Sequence, residues 1–240
     1  FVTEQYQGIN VGNNSFPTLA DIDGDGDLDL FVGAGKGRIQ FYQNQGTRTS
    51  PVWNFESNSY ASIAISGNSA PAFVDIDGDG DLDLFVNDNQ AIRFYRNDGT
   101  AQAAVWTLVT SNYADITFEN NGPRPVFADI DGDSDFDLFV GGSGRIHYYR
   151  NDGSAASPTW TFLTNSYNNI GGSSDITPSF TDIDGDGDLD LFTGEHWGNI
   201  IHYRNDGDRN AASWTRASTD GYYSYFTLDL AGISAPALAA

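Results

Sequence analysis

The feature that most restricts how this chain can fold is an eleven-residue run that occurs four times at a nearly fixed interval. It reads Asp21-Ile22-Asp23-Gly24-Asp25-Gly26-Asp27-Leu28-Asp29-Leu30-Phe31, and it returns from Asp75, Asp129 and Asp182 at spacings of 54, 54 and 53 residues. A constant period in this range means one supersecondary unit repeated as an array, so residues 1–240 read as a single repeat domain. The repeats centre on loops 21–29, 75–83, 129–137 and 182–190.

Each loop has the form D-x-D-x-D-G-x-x-D. Carboxylates stand at its first, third, fifth and ninth positions, a backbone carbonyl is available at the seventh, and a glycine at the sixth permits the turn that folds alternate side chains inward. This is a ligand set for a hard cation. The candidate metal-binding residues are Asp21, Asp23, Asp25, Asp27 and Asp29; Asp75, Asp77, Asp79, Asp81 and Asp83; Asp129, Asp131, Asp133, Asp135 and Asp137; and Asp182, Asp184, Asp186, Asp188 and Asp190. Calcium takes six to eight oxygens in a flexible shell, whereas magnesium prefers few carboxylates and several waters, so Ca²⁺ is expected at about one per loop, four in all. Without a cation, mutual repulsion would leave these loops poorly ordered. An EF-hand is excluded, because position twelve holds Val32, Val86, Val140 and Thr193 in place of a bidentate Glu. The third copy has Ser134 where the others have Gly26, Gly80 and Gly187. If that position needs a left-handed backbone, serine costs on the order of 1 kcal/mol, and the Asp129 loop is expected to be the weakest site.

The acidic balance follows largely from these loops. Of 33 acidic residues against 11 basic ones, twenty lie in the four loops, and four Ca²⁺ would offset eight of the 22 net negative charges. The remaining acidity, with a single lysine at Lys36, offers no basic patch for phosphates and excludes nucleic acid as a partner. Absence of cysteine rules out disulfides and thiolate zinc sites. No run of eighteen apolar residues is present, so no membrane span is expected. A chain that starts at Phe1 and contains no methionine reads as a processed product or fragment, and weak-to-moderate calcium sites suit an extracellular, secreted location.

Within the second repeat, four strands are expected at Pro71 to Ile76, Leu82 to Val86, Ile92 to Arg96 and Val105 to Val109, so the aspartate loop joins the first two as a hairpin. Turn signals close the third strand at Asn97-Asp98-Gly99, Asn151-Asp152-Gly153 and Asn205-Asp206-Gly207, with Asn44-Gln45-Gly46 as a looser copy. Trp53, Trp106, Trp160 and Trp214 recur at one point of the fourth strand and read as core between neighbouring sheets; Tyr6, Tyr60, Tyr113 and Tyr167 keep the same period. His147 and His202 read as equivalent strand positions and as packing residues. The fold class is all-β, a β-propeller of four-stranded blades with calcium-binding hairpin loops.

The run Asp75-Ile76-Asp77-Gly78-Asp79-Gly80-Asp81-Leu82-Asp83-Leu84-Phe85-Val86, followed by Phe94-Tyr95-Arg96-Asn97-Asp98-Gly99, resembles the FG-GAP/VCBS repeat family of integrin α-chain propellers, a fungal propeller lectin and many bacterial secreted proteins. The resemblance covers essentially the whole chain and implies calcium ligands at the loop aspartates. It implies no single activity. The ends do not complete a ring. Ser234-Ala235-Pro236-Ala237 repeats Ser69-Ala70-Pro71-Ala72, so residues 213–240 are expected to open a partial fifth blade. Either the chain is a piece of a larger ring, of five to eight blades, or its exposed ends pair with another copy.

In a meander the calcium loops occupy one face, and variation should collect on the other. There the second-to-third connections are Gly33 to Gly37, Asn87 to Gln90, Gly141 to Gly144 and Gly194-Glu195-His196-Trp197-Gly198, the last being the outlier. Glu195, His196 and Trp197 are therefore candidate ligand-binding residues, with Trp197 able to stack on a sugar or anchor a partner. His196 has no companion histidine, so zinc is not expected. These features favour a calcium-stabilised extracellular binding or adhesion module, lectin-like, taking carbohydrate or a protein on the face opposite the calcium loops. The alternative is a structural subunit of an assembly or filament joined by self-association through its terminal strands. A polysaccharide-active enzyme is the third reading, against which no triad spacing or acid pair stands outside the loops.

Overall fold

The blades are built from a buried middle outward. In each, the strand after the aspartate loop carries Asp-Leu-Phe, a continuous run suited to a strand covered on both faces, and a computed structural model places all six residues of Asp29–Ala34 in the interior. The structure describes residues 9–11, 14–118, 122–172, 174–196, 199–217 and 226–227.

Among the described residues seventeen strands form four antiparallel sheets, sixteen of them in fours ordered by sequence from the inside out. The first blade is β1 (Phe16–Ala20), β2 (Asp29–Ala34), β3 (Arg38–Asn44) and β4 (Trp53–Ser57). The second is β5 (Pro71–Val74), β6 (Asp83–Asp88), β7 (Ala91–Asn97) and β8 (Trp106–Thr110). The third is β9 (Arg124–Ala128), β10 (Asp137–Gly142), β11 (Arg145–Asn151) and β12 (Trp160–Thr164). The fourth is β13 (Thr177–Thr181), β14 (Asp190–Gly194), β15 (Asn199–Asn205) and β16 (Trp214–Arg216). The fold is thus the expected β-propeller, and the four strands read from the second repeat are all present, with ends displaced by one or two residues. Within the segment expected to open a fifth blade, Trp214–Arg216 is the outer strand of the fourth, and β17 (Phe226–Thr227) pairs with Asn199 and Ile200 of that same blade. Ser234 to Ala237, like Tyr6, lie outside the described residues.

The inner strands of all four blades line one central channel of about 370 Å³. Being edge strands, they tolerate a residue without an N–H, and Pro17, Pro71, Pro125 and Pro178 stand at matching positions along them. The core lies in the seams between blades. At the first seam Phe31 sits between Phe73 of the next blade at 4.4 Å and Tyr60 edge-on at 4.9 Å. Phe85 repeats this with Phe127 and Tyr113 at 4.6 and 4.8 Å, and Phe139 with Phe180 and Tyr167 at 4.5 and 5.0 Å. Tryptophans of the following blade close each box, as expected of core residues, and Trp160 and Trp214 donate their indole N–H to the hydroxyls of Tyr113 and Tyr167 at 3.1 and 3.2 Å. Burial pushes the hydroxyls of Tyr60, Tyr113 and Tyr167 up to about 12.

Each of these tyrosines opens a one-turn 3₁₀ segment whose next residue is left-handed: Ala61, Ala114 and Asn168 have φ of 50°, 53° and 45°. The turn aims the Tyr and the following Ile63, Ile116 or Ile170 into the seam. For alanine this backbone is strained, and burial of its two neighbours offsets the cost.

His147 and His202 are not equivalent. His147 lies opposite Val140, whereas His202 lies opposite Phe192 at the position held by Tyr148 in the third blade. A one-residue offset turns a strand side chain to the other face of its sheet. Both nevertheless pack on rings, His147 on Phe118 at 4.4 Å and His202 on Phe192 at 4.5 Å. Among the described residues no helix is long and apolar enough to cross a membrane.

Candidate functional site

Two positions of each aspartate loop set its shape. The sixth has φ of 90°, 93° and 95° at Gly26, Gly80 and Gly187, and Ser134 is held at 77°, so the serine does occupy the left-handed region. With this turn made, the first aspartate becomes the hub. Asp21 accepts the backbone N–H of Gly24 at 2.8 Å and of Gly26 at 3.0 Å, and Asp75, Asp129 and Asp182 do the same in their loops. One carboxylate oxygen from each of Asp21, Asp23 and Asp25 then falls within 4.8 Å of the others, and the same holds for Asp75, Asp77 and Asp79, for Asp129, Asp131 and Asp133, and for Asp182, Asp184 and Asp186.

The ninth aspartate is fixed from the third strand. Asp29, Asp83, Asp137 and Asp190 are nearly fully buried, and one oxygen of each accepts the backbone N–H of Asn44, Asn97, Asn151 or Asn205 at 2.7 to 2.9 Å. Those asparagines also bind the turns that follow them; Asn97 Oδ1 accepts from Gly99 and Val105. At Asp29 and Asp83 the second oxygen is buried with no hydrogen-bond partner, as is one oxygen of Asp23, Asp77, Asp131, Asp135 and Asp188. Buried carboxylate oxygens without donors are costly unless a cation takes them. Burial, reinforced by neighbouring aspartates, accordingly pushes Asp29 up to about 6 and Asp83 and Asp137 up to about 7. All-oxygen clusters of this kind fit a hard divalent cation.

The loops are not alike, and the differences come from residues that the repeat pattern does not mark. In the third blade Tyr148 donates its hydroxyl to the second oxygen of Asp137 at 3.0 Å, where the first two blades carry Phe41 and Phe94. Arg209 of the fourth blade reaches Asp129 at 3.2 Å. Both contacts compete with a cation for carboxylate oxygens of the third loop, whose turn Ser134 makes at a backbone cost. Replacing Ser134 with Gly should stabilise the protein by on the order of 1 kcal/mol and tighten the third site selectively. Calcium titration followed by calorimetry checks this, and equal affinities before and after the change would refute it.

On the opposite face, the sequence candidates Glu195 and His196 follow β14. Glu195 is buried with its carboxylate packed against Gly172, and His196 Nδ1 lies 2.9 Å from Asp175 Oδ2. Trp197 lies outside the described residues. Sequence reasoning missed the other two members of this group. Arg124, 2% exposed, donates to Asp175 at 3.1 Å and to the Ile176 carbonyl at 3.3 Å, and its guanidinium lies 5.1 Å from the Phe16 ring centre. Phe16, Ala70, Arg124 and Thr177 each precede one of the four channel prolines, so the ion pair sits at the channel mouth. Nothing in one repeat marks this pair, since its charges come from two blades.

A lectin from Agrocybe aegerita, described as recognising non-reducing terminal N-acetylglucosamine, is similar over 85% of this chain and 53% of its own, with 19% identity and a TM-score of 0.48. The chain therefore spans about half the length of that lectin. No curated protein matches the sequence. The sequence model of the FG-GAP-like repeat matches residues 21–86, 75–140 and 129–193. Three overlapping matches in the register of the aspartate loops, together spanning well over half the residues, make this chain a member of the FG-GAP-like repeat family.

Proposed function

We propose that this propeller is a calcium-stabilised extracellular binding module that takes carbohydrate on the face opposite its aspartate loops and carries out no chemistry on it. The observation that supports the calcium reading most is the set of buried, donor-free oxygens on Asp23, Asp29, Asp77 and Asp83, beside clustered carboxylates. The residues that would hold the ion are the first, third, fifth and ninth aspartates of each loop, with the seventh supplying its carbonyl, one ion to a loop. Calcium supplies no reaction here; it joins the hairpin to the third strand through the ninth aspartate, and millimolar extracellular concentrations suit sites of this type.

For the ligand, the supporting feature is the polar group at the channel mouth. Asp175 fixes the His196 ring through Nδ1, and the ring remains partly accessible beside the buried Glu195. A sugar is held by fixed donors and acceptors for its hydroxyls and an apolar surface for its ring face, and Trp197 is the aromatic candidate in the same connection. Glycan-array binding of the calcium-loaded protein tests the reading. Binding that His196→Ala and Trp197→Ala each weaken by tenfold or more supports it. Absence of glycan binding in calcium, or binding that both variants leave unchanged, overturns the carbohydrate assignment.

A further inference from the structure

The first three aspartate loops each touch the turn that joins the third and fourth strands of the following blade, and the contact falls on the same residue every time. The fourth loop position is a glycine in the left-handed region whose N–H is held by the hub carboxylate at 2.8 Å: Gly24 on Asp21, Gly78 on Asp75 and Gly132 on Asp129. A methyl group placed on Gly24 would stand 2.6 Å from Gln102 Nε2, one on Gly78 3.1 Å from Ala156 Cβ, and one on Gly132 2.5 Å from Asn210 Oδ1. Gln102, Ala156 and Asn210 hold the same position in three successive turns. The isoleucine at the second loop position adds an apolar half to the contact. Ile22, Ile76 and Ile130 are buried in the clusters that they share with Leu84, Leu138 and Leu191 of the next blade.

Each of these turns is also tied to the aspartate loop of its own blade. Asn97 gives its backbone N–H to Asp83 at 2.8 Å, and its side-chain oxygen accepts the N–H of Gly99 at 3.0 Å and of Val105 at 2.8 Å, at the two ends of the turn that carries Gln102. Asn151 stands in the same way between Asp137 and the turn that carries Ala156, and Asn205 between Asp190 and the turn that carries Asn210. A continuous run of contacts therefore leads from the hub aspartate of one loop, through its glycine and the neighbouring turn, to the ninth aspartate of the next loop. Asp83, at the far end of the first link, has a buried oxygen with no hydrogen-bond partner. Without a cation that oxygen favours a looser carboxylate, and a carboxylate that leaves Asn97 also frees the turn that braces the loop before it.

We propose that the aspartate loops bind calcium cooperatively, each occupied site tightening its neighbours through the asparagine-built turn between them. This rests on the calcium binding proposed above and adds that the sites are not independent. An ion that orders one loop presents a fixed glycine and isoleucine to the next turn. The ninth aspartate beyond that turn is then already placed when its own ion arrives, and less ordering remains to be done there. The sign is opposite to what charge alone gives. An occupied loop carries −3, from five aspartates and one Ca²⁺, and an empty one −5, so an ion in one site lowers the attraction of its neighbours for a second.

Calcium titration of the full chain, followed by NMR at the backbone amides of Gly26, Gly80 and Gly132, reads the first three loops separately. Asp79→Ala removes an exposed candidate ligand from the second loop and should silence Gly80. The calcium midpoints at Gly26 and Gly132 should then both rise about tenfold. Charge alone would lower them, since the empty variant loop carries −4 where the occupied one carries −3. Gln102→Ala, at an exposed residue outside the loops, cuts only the link between the first and second. In that background Asp79→Ala should move Gly26 by less than about threefold while Gly132 still moves about tenfold. Midpoints at Gly26 and Gly132 that Asp79→Ala lowers, or leaves within about twofold, overturn the coupling and leave calcium binding standing. A Gly26 shift that Gln102→Ala does not diminish overturns the route through the turn. Wild-type amides that ignore millimolar calcium overturn the coupling and the calcium binding together.

Discussion

Chelating calcium should lower the melting temperature steeply at pH 8 and much less at pH 5. Burial raises the ninth-position carboxyls, Asp29 to about 6 and Asp83 and Asp137 to about 7, above their value of about 3.9 in the unfolded chain. A group raised on folding contributes stability that is present at low pH and lost as pH rises through the folded value. The metal-free protein should therefore weaken steadily from about pH 4 to pH 7 and level off above. Bound calcium reverses this trend, because its ligands must be deprotonated and protons compete with it. At a calcium concentration about 100 times the dissociation constant, each site adds about 2.7 kcal/mol, or roughly 5–10 °C in a domain of this size. Circular dichroism melts with calcium and with chelator, from pH 5 to pH 8, check the prediction. If the chelated and loaded melts coincide at pH 8, the loops are not cation sites.

The second large effect concerns the channel mouth. Arg124→Ala should cost about 3–5 kcal/mol, because it leaves Asp175 buried without its guanidinium. Thermal melts of the variant and the wild type in saturating calcium check this. Replacing both Arg124 and Asp175 with apolar residues of similar size should recover much of the loss, since the pair and not the packing is then removed. Equal melts for Arg124→Ala and the wild type would show that the pair contributes nothing.

These two sites were unequally legible in the sequence. The loops could be read because every candidate ligand lies within nine residues and the turn that gathers them needs only backbone freedom at one glycine. The seam tryptophans could be read because position within a repeat fixes which face a strand residue takes. Arg124 and Asp175 could not, since they are 51 residues apart, in different blades, and their meeting depends on how the sheets stack. The left-handed turns at Ala61 and Ala114 were equally silent, as alanine carries none of the usual signals for that backbone. His202 was misread as the equal of His147 for a different reason: an offset of one residue against the repeat is invisible until strand register is known.

The Trp-to-Tyr hydrogen bonds give the ring an optical reporter at every joint. Parting the second or third seam removes the phenol from the indole N–H of Trp160 or Trp214 and admits water, which shifts that indole's emission to longer wavelength. Variants that keep one tryptophan at a time would thus record the order in which blades separate under denaturant. Because Tyr113 and Tyr167 titrate only near pH 12, the reporters stay intact in alkali that ionises exposed tyrosines.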